Sequence, residues 1–274
     1  MHPSRVVRQA SFTLGIVLLA ATAFAQATKA PAAPAKPAEQ FEPRVGQPGK
    51  DVVWVPTPQA LVDTMLDMAK VTPTDFLIDL GSGDGRTVIT AAKRGLKAMG
   101  IEFNPDMVEL SKKAAAKEGV AERATFVQAD LFKADLSKAT VITMFLLPSI
   151  NMQLRPSLLN LKPGTRIVAN TFTMEDWQAD DTRSVSDNCS SWCTALLWIV
   201  PAKVQGTWKT GQGNLTLTQE FQTLTGNLNG TAISGGKMNG DQISFTAGTT
   251  TYTGRVNAAG SAMAGGNLNA TKLN

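Results

Sequence analysis

The stretch Asp75-Phe76-Leu77-Ile78-Asp79-Leu80-Gly81-Ser82-Gly83-Asp84-Gly85-Arg86 decides the fold. Four of the five residues from Phe76 to Leu80 are apolar, the composition of a short strand buried on both faces of a parallel sheet. Glycines then fall at alternate positions, 81, 83 and 85. There the backbone can turn tightly and a ligand can approach the main chain without meeting a Cβ atom. Arg86 to Arg94 is compatible with a helix, so free amides at a helix N-terminus would face whatever the loop cups. These are the requirements of a site for a nucleotide-like cofactor.

The spacing narrows the ligand. A dinucleotide fingerprint reads G-x-G-x-x-G, with an acid about 20 residues further on. Here the third glycine comes one residue early, and Asp79 sits within the strand end. A second acid, Glu102, closes the next apolar run (Ala98-Met99-Gly100-Ile101-Glu102), placed to accept both hydroxyls of a ribose. Asp84, inside the loop, is a poor neighbour for a pyrophosphate. A cofactor with a ribose, an ammonium group and no phosphate fits better, and S-adenosylmethionine (SAM) is one.

At these residues the chain resembles the class I SAM-dependent methyltransferases. By that resemblance Asp79, Gly81, Ser82, Gly83, Asp84 and Gly85 form the first cofactor motif. Glu102 is the ribose-binding acid, Asn104 contacts the adenosine, and Asp130 with Leu131 forms an adenine-contacting turn. Val55-Pro56-Thr57-Pro58, the 79–86 motif, Gly100 to Pro105, Asp130-Leu131-Phe132 and Asn170-Thr171-Phe172 through Trp177 are similar, in order, to the mitochondrial lysine methyltransferases that act on the c subunit of ATP synthase. The likeness covers residues 52–177. It implies an acceptor side formed by Thr57, Asn170, Phe172 and Trp177, with the aromatic pair attracting an alkylammonium through its π faces.

Upstream, residues 1–25 read as a secretory signal: Arg5 and Arg8, an apolar run over 12–21, and Ala23-Phe24-Ala25 as a small-x-small cleavage site. The run is shorter than the ~20 residues that span a bilayer, so no stable membrane span is expected; an uncleaved anchor is the alternative. Cleavage would remove the only histidine, His2, and take the formal charge from +4 to +2. That excludes histidine-dependent triads and histidine-ligated metal sites, so no metal is expected. The charge is too small and dispersed for a nucleic-acid partner. Residues 26–50, rich in Ala, Pro and Lys, read as an extended linker.

Thr57-Pro58 reads as a helix start, with Leu61, Val62, Met65, Leu66 and Ala69 on one face; Thr57 is either a plain N-cap or a group facing cofactor or acceptor. Asn104-Pro105 repeats the signal, and capping or adenosine contact would each explain Asn104. Strands are expected at 124–128, 141–147, 166–172 and 195–200, with a helix over 149–161 that must accommodate Pro156. Asp130, after the third strand, is either a turn aspartate or a cofactor ligand at the carboxyl edge of the sheet. Strand-helix alternation implies a Rossmann-like, doubly wound, mostly parallel α/β sheet over residues 51–203.

Cys189 and Cys193 read most simply as a disulfide in an exported chain. From Gly206 the composition changes, with 13 glycines, 13 threonines and six charged residues to the end. Regularly punctuated alternation there predicts a small all-β domain, a meander or barrel, over residues 204–274.

The expectation is therefore a SAM-dependent methyltransferase, exported to the periplasm as its leader implies, acting on a protein lysine or small amine. An exported nucleoside- or metabolite-binding module without turnover is the alternative, and a structural adaptor a third. The β-domain is the expected surface for an envelope partner.

Overall fold

β1 (Phe76–Leu80) lies near the middle of a seven-stranded sheet, its last four residues buried. The computed structural model describes residues 41–273, with positions 1, 2, 4 and 9–11. Apart from those few positions, the expected leader and residues 26–40 of the expected linker lie outside the described residues.

α1 (Gln59–Met68) precedes β1; then follow α2 (Arg86–Lys93), β2 (Lys97–Glu102), α3 (Pro105–Lys117), β3 (Ala124–Gln128), a 3-10 turn (Leu131–Lys133), β4 (Val141–Met144), α4 (Pro148–Leu158), β5 (Arg166–Asn170), β6 (Asp181–Ser184) and β7 (Thr194–Ile199). The order across the sheet is β3-β2-β1-β4-β5-β7-β6. The first five strands are parallel, and β7 runs antiparallel to β5 and β6. The order reverses between β1 and β4, where an open α/β sheet leaves a crevice at its carboxyl edge.

Alternation along the strands builds two cores. Leu77, Val141 and Val168 face α1, α2 and α3, packing with Leu66, Val88 and Val108. Ile78, Ile142 and Ile167 face the other way, against Leu154 and Leu158 of α4 and Trp198 of β7. Period-2 alternation with both faces apolar explains why these strands read as continuous apolar runs.

Three expected elements are shorter than their sequence patterns. β4 stops at Met144 and β5 at Asn170, because the residues after them leave the sheet. α4 ends at Leu158, two residues beyond Pro156, whose missing N–H cannot continue the helical ladder. β6 has no counterpart among the expected strands: its residues are polar and mostly exposed, as an edge strand allows.

The C-terminal strands β8 (Gly206–Thr210), β9 (Gly213–Glu220), β10 (Thr223–Leu228), β11 (Thr231–Asn239), β12 (Gln242–Ala247), β13 (Thr250–Val256), β14 (Ala262–Ala264) and β15 (Ala270–Lys272) form a closed antiparallel barrel. Each pairs with its neighbours in sequence, and β15 closes onto β8. Trp208, Leu215, Leu217, Met238, Ile243 and Phe245 are buried together in its core. The barrel docks on the β5–β7 side of the sheet. Phe221 stacks on Trp177 with centroids 5.8 Å apart, Gln222 Nε2 donates to Gln178 O (2.8 Å), and Lys237 pairs with Asp180 (3.2 Å).

At the amino edge of the sheet, Asp75 accepts from Thr140 Oγ1 (2.7 Å) and Thr72 N (2.7 Å) and pairs with Arg166. Burial opposes its ionised form, but the hydrogen bonds from Thr140, Arg166 and Thr72 outweigh that and hold its carboxyl below the ordinary range. Removing one partner of such a pair strands the other. Asp75→Ala is expected to lower stability by roughly 3 kcal/mol in urea denaturation; a loss below ~1 kcal/mol would show that solvent already screens the pair.

Candidate functional site

The glycine loop after β1 is held in a conformation that side chains resist. Gly81, Gly83 and Gly85 have φ of +73°, +53° and +79°. A Cβ on Gly83 would lie 2.5 Å from Trp54 Nε1, and one on Gly85 2.7 Å from the Phe126 ring. Gly81, Ser82, Gly83 and Asp84 line a cavity at the carboxyl ends of β1, β2 and β4. Gly85 does not. It precedes α2 and packs on Phe126 and Ser111, so its expected cofactor contact is replaced by a packing role.

Three carboxylates meet this loop. Glu102 accepts from Gly83 N through Oε2 and from Asn104 N through Oε1, both at 2.9 Å, and so ties the loop to the start of α3. Asp84 is gripped by Arg86, with Nη2 2.6 Å from Oδ2, while Arg86 Nη1 donates to Thr57 O (3.0 Å). Asp79 is different. It is 6% exposed, and the one hydrogen bond to its carboxylate among the described residues comes from Thr143 Oγ1 (2.6 Å). Burial pushes its carboxyl up, and Asp84 and Glu102 add to the rise against the opposing Thr143 bond, bringing it to about 7. Beside it, Ser82 Oγ is buried with no partner.

Residues 47–57 lie along the cavity, so the last residues of the expected linker belong to the site. Gly46 N donates to Trp54 O and Trp54 N to Gln47 O, closing a small loop. From it Lys50 Nζ donates to Asp130 Oδ2 (3.0 Å) and stands 5.1 Å from the Phe103 ring centroid. The Asp130 bond raises the Lys50 amine, and the Lys50 bond lowers the Asp130 carboxyl. Asp130 also accepts from Phe132 N (3.0 Å), so it is both turn residue and cavity residue, with Leu131 beside it. Asn104 likewise does both: it lines the cavity, and its Oδ1 caps α3 by accepting from Asp106 N (2.9 Å).

The expected acceptor side divides. Thr57 and Phe172 line the cavity. Thr57 caps nothing: α1 begins after Pro58 with no side-chain cap, and Thr57 Oγ1 lies 3.3 Å from Asn170 Nδ2, whose donor it accepts. Asn170 is fully buried behind Thr57 and stands outside the cavity lining. Trp177 does not reach the cavity. It is fully buried between Trp198 and the barrel's Phe221, so its expected contact with an acceptor gives way to core packing. Phe145 and Trp192 line the cavity with Phe172, while Trp54 and Phe103 line it near the glycine loop and the end of β2. Phe145 stacks on Phe172 (5.9 Å between centroids) and meets Trp192 at 6.0 Å. In the sequence, Phe145 is hidden inside an expected strand. Trp192 lies in plain sight between the two cysteines, which are disulfide-bonded.

Residues 79–181 match a family model described as the ANTKMT methyltransferase domain. A protein-lysine N-methyltransferase of Saccharolobus islandicus is 44% identical over 139 residues, which is 50% of this chain and 86% of that protein. The chain belongs to the ANTKMT family of SAM-dependent methyltransferases. The ATP synthase c-subunit lysine N-methyltransferase of Xenopus laevis is 36% identical over 128 residues, 46% of this chain and 56% of that protein. The chain thus spans about half the length of that relative. A crystal structure described as an RNA methyltransferase from Salinibacter ruber, in complex with S-adenosyl-L-homocysteine, is 46% identical and superposes with a TM-score of 0.52 over 55% of this chain and 96% of that one. The family model ends before the barrel begins.

SAM is the cofactor of this ANTKMT family member, and the residues fit it. A buried carboxylate without a cationic partner suits an ammonium or sulfonium, and the unpartnered Ser82 Oγ leaves a polar group to be satisfied. The remaining lone pairs of Glu102 are available for hydroxyls. Because Asp79 titrates near 7, cation binding to its ionised form should be strongest above that pH. Titration calorimetry should find the SAM Kd flat from about pH 8 to 9 and weakening by up to about tenfold per unit below ~6.5; Asp79→Asn should bind weakly and lose this slope. The same group makes the ligand-free protein less stable as pH rises from ~4 to 7, since the folded state holds a proton that the unfolded chain releases. Asp79→Asn should therefore raise Tm at about pH 8 and leave it nearly unchanged at about pH 4.

Proposed function

We propose that this protein transfers the methyl group of SAM to the ε-amine of a lysine in an exported protein. The observation that carries the reading is Asp79, buried and without a cation on the floor of a cavity whose mouth is aromatic. The named activities of the archaeal and vertebrate relatives support lysine as acceptor. The likeness to a protein described as an RNA methyltransferase raises a second acceptor, and charge argues against it. The charged residues lining the cavity are Asp51, Asp79, Asp84, Glu102 and Asp130 against Lys50 and Arg86, both already paired to acids. A nucleic-acid acceptor needs the opposite balance.

SAM, when bound, supplies an activated methyl group on a sulfonium. The rest falls to positioning. Ionised Asp79 draws the positive end of the cofactor to the end of β1, and Glu102, fixed by two backbone amides, orients the ribose. Thr57, held by Asn170 and by Arg86 through its carbonyl, and Phe172 bound the opposite wall, where the amine enters. A lysine docks as the ammonium and must be neutral when it attacks, so solvent or a mouth carboxylate such as Asp51 takes its proton before transfer. Histidine is not needed.

Arg5, Arg8, the apolar run over 12–21 and Ala23-Phe24-Ala25 support export to the periplasm, and the Cys189–Cys193 bridge agrees with an oxidising compartment. No helix among the described residues is long and apolar enough to cross a membrane. The barrel offers the outer surface for an envelope partner.

Incubation of the protein with methyl-labelled SAM and envelope extract should label a protein band, and mass analysis should place the methyl groups on lysine. Label in RNA alone would overturn the acceptor; SAM binding without any transfer would leave a binding module. Fractionation should find the chain in the periplasm, beginning at Gln26.

A further inference from the structure

The feature that the cofactor chemistry does not use is the ring of Trp192. It is 43% exposed, and its backbone sits at φ +55°, a conformation that costs a bulky residue energy. It projects from the β6–β7 hairpin, whose end is closed twice: Val185 N donates to Cys193 O (2.9 Å), and Cys189 is bridged to Cys193. The hairpin is tied to the neighbouring strand end by Thr171 N, which donates to Thr194 O (2.7 Å). This brings Trp192 to Phe145, and Phe145 to Phe172, in one row at the cavity mouth. Three aromatic side chains from three separate carboxyl-edge loops thus converge where a cavity with a surplus of carboxylates opens.

We propose that Trp192, held in place by the Cys189–Cys193 bridge, forms with Phe145 and Phe172 an aromatic clasp that selects the alkylammonium head of the methyl acceptor. The clasp rests on the reading of an amine acceptor and deepens it. Ring faces attract a cation that has shed part of its water, and an indole does so best. The surrounding acids favour the same charge sign, so a cationic head gains over a neutral one of equal shape. The bridge matters because the nine-residue connection over 185–193, free of it, would swing the indole among many conformers, and ordering it on binding would offset part of the attraction.

The test uses the full chain saturated with S-adenosyl-L-homocysteine and two probes of equal shape: choline, which is cationic, and 3,3-dimethylbutan-1-ol, which is neutral. Binding is read by NMR titration. Choline is expected to bind about fivefold or more tightly than the alcohol. Trp192→Ala should abolish that preference while leaving S-adenosyl-L-homocysteine affinity within about twofold, and Trp192→Phe should retain part of it. A Cys189→Ser, Cys193→Ser double variant should weaken the preference by about threefold or more. Equal binding of the two probes to a protein that holds S-adenosyl-L-homocysteine would overturn the clasp and leave the methyltransferase intact. Failure to bind S-adenosyl-L-homocysteine would instead remove the cofactor reading. A preference untouched by Trp192→Ala, or a parallel loss of cofactor affinity, would show that Trp192 only packs.

Discussion

An uncompensated carboxylate at the end of the central strand is the constraint on which this structure turns. Asp79 is buried among apolar strands with a single hydroxyl donor, facing two further acids. A fold optimised for stability alone would place an asparagine or a paired cation there. Tolerating the charge only makes sense where a cationic ligand completes it, and stability given up at such a position is the usual cost of a preformed site. The loop beyond it follows from the same need, since only glycines let the main chain pass so near a ligand and under Trp54.

Glu102 shows how a second acid in the same cavity can have a different job. Both of its oxygens already accept backbone amides, from Gly83 and Asn104. It therefore fixes geometry: the loop after β1 and the start of α3 are locked to one carboxylate, and whatever its free lone pairs bind is placed relative to both. Asp79 provides field, Glu102 provides position. Asp84, paired with Arg86, adds to the field at Asp79 and holds Thr57 through the shared guanidinium.

The cofactor half was legible in the sequence because its signals are local. Apolar periodicity, alternate glycines and an acid one strand-helix-strand unit away all lie within 28 residues, and the sheet they imply is the one observed. The acceptor half depends on contacts distant in sequence, and of its four expected residues only Thr57 and Phe172 line the cavity. Trp177 matched the resemblance, yet its environment is decided by Phe221 of the barrel, which sequence pattern alone could not bring to it. Phe145 reads as strand because β4 and the residues peeling away from it are equally apolar. Lys50 falls in a segment whose Ala/Pro composition predicts no packing, and only Asp130, eighty residues on, shows why that segment's end folds onto the cavity. β6 escaped because an exposed edge strand needs no apolar alternation.

The two walls of the cavity are held by unlike forces, and that difference bears on how the site works. On the acceptor side, the segment after β5 has no helix of its own. It is clamped by the barrel through Phe221, Gln222 and Lys237, and the hairpin beyond it is closed by a covalent bridge. The barrel's interior is filled by its own side chains, so its contribution to this half is bracing. On the cofactor side, residues 47–54 rest on backbone bonds among themselves and on Lys50, whose pairing with Asp130 is exposed to solvent and therefore weak. The one wall is thus tied by a solvent-exposed ion pair and the other by a buried aromatic stack and a covalent bridge, two kinds of restraint that differ in how easily they part.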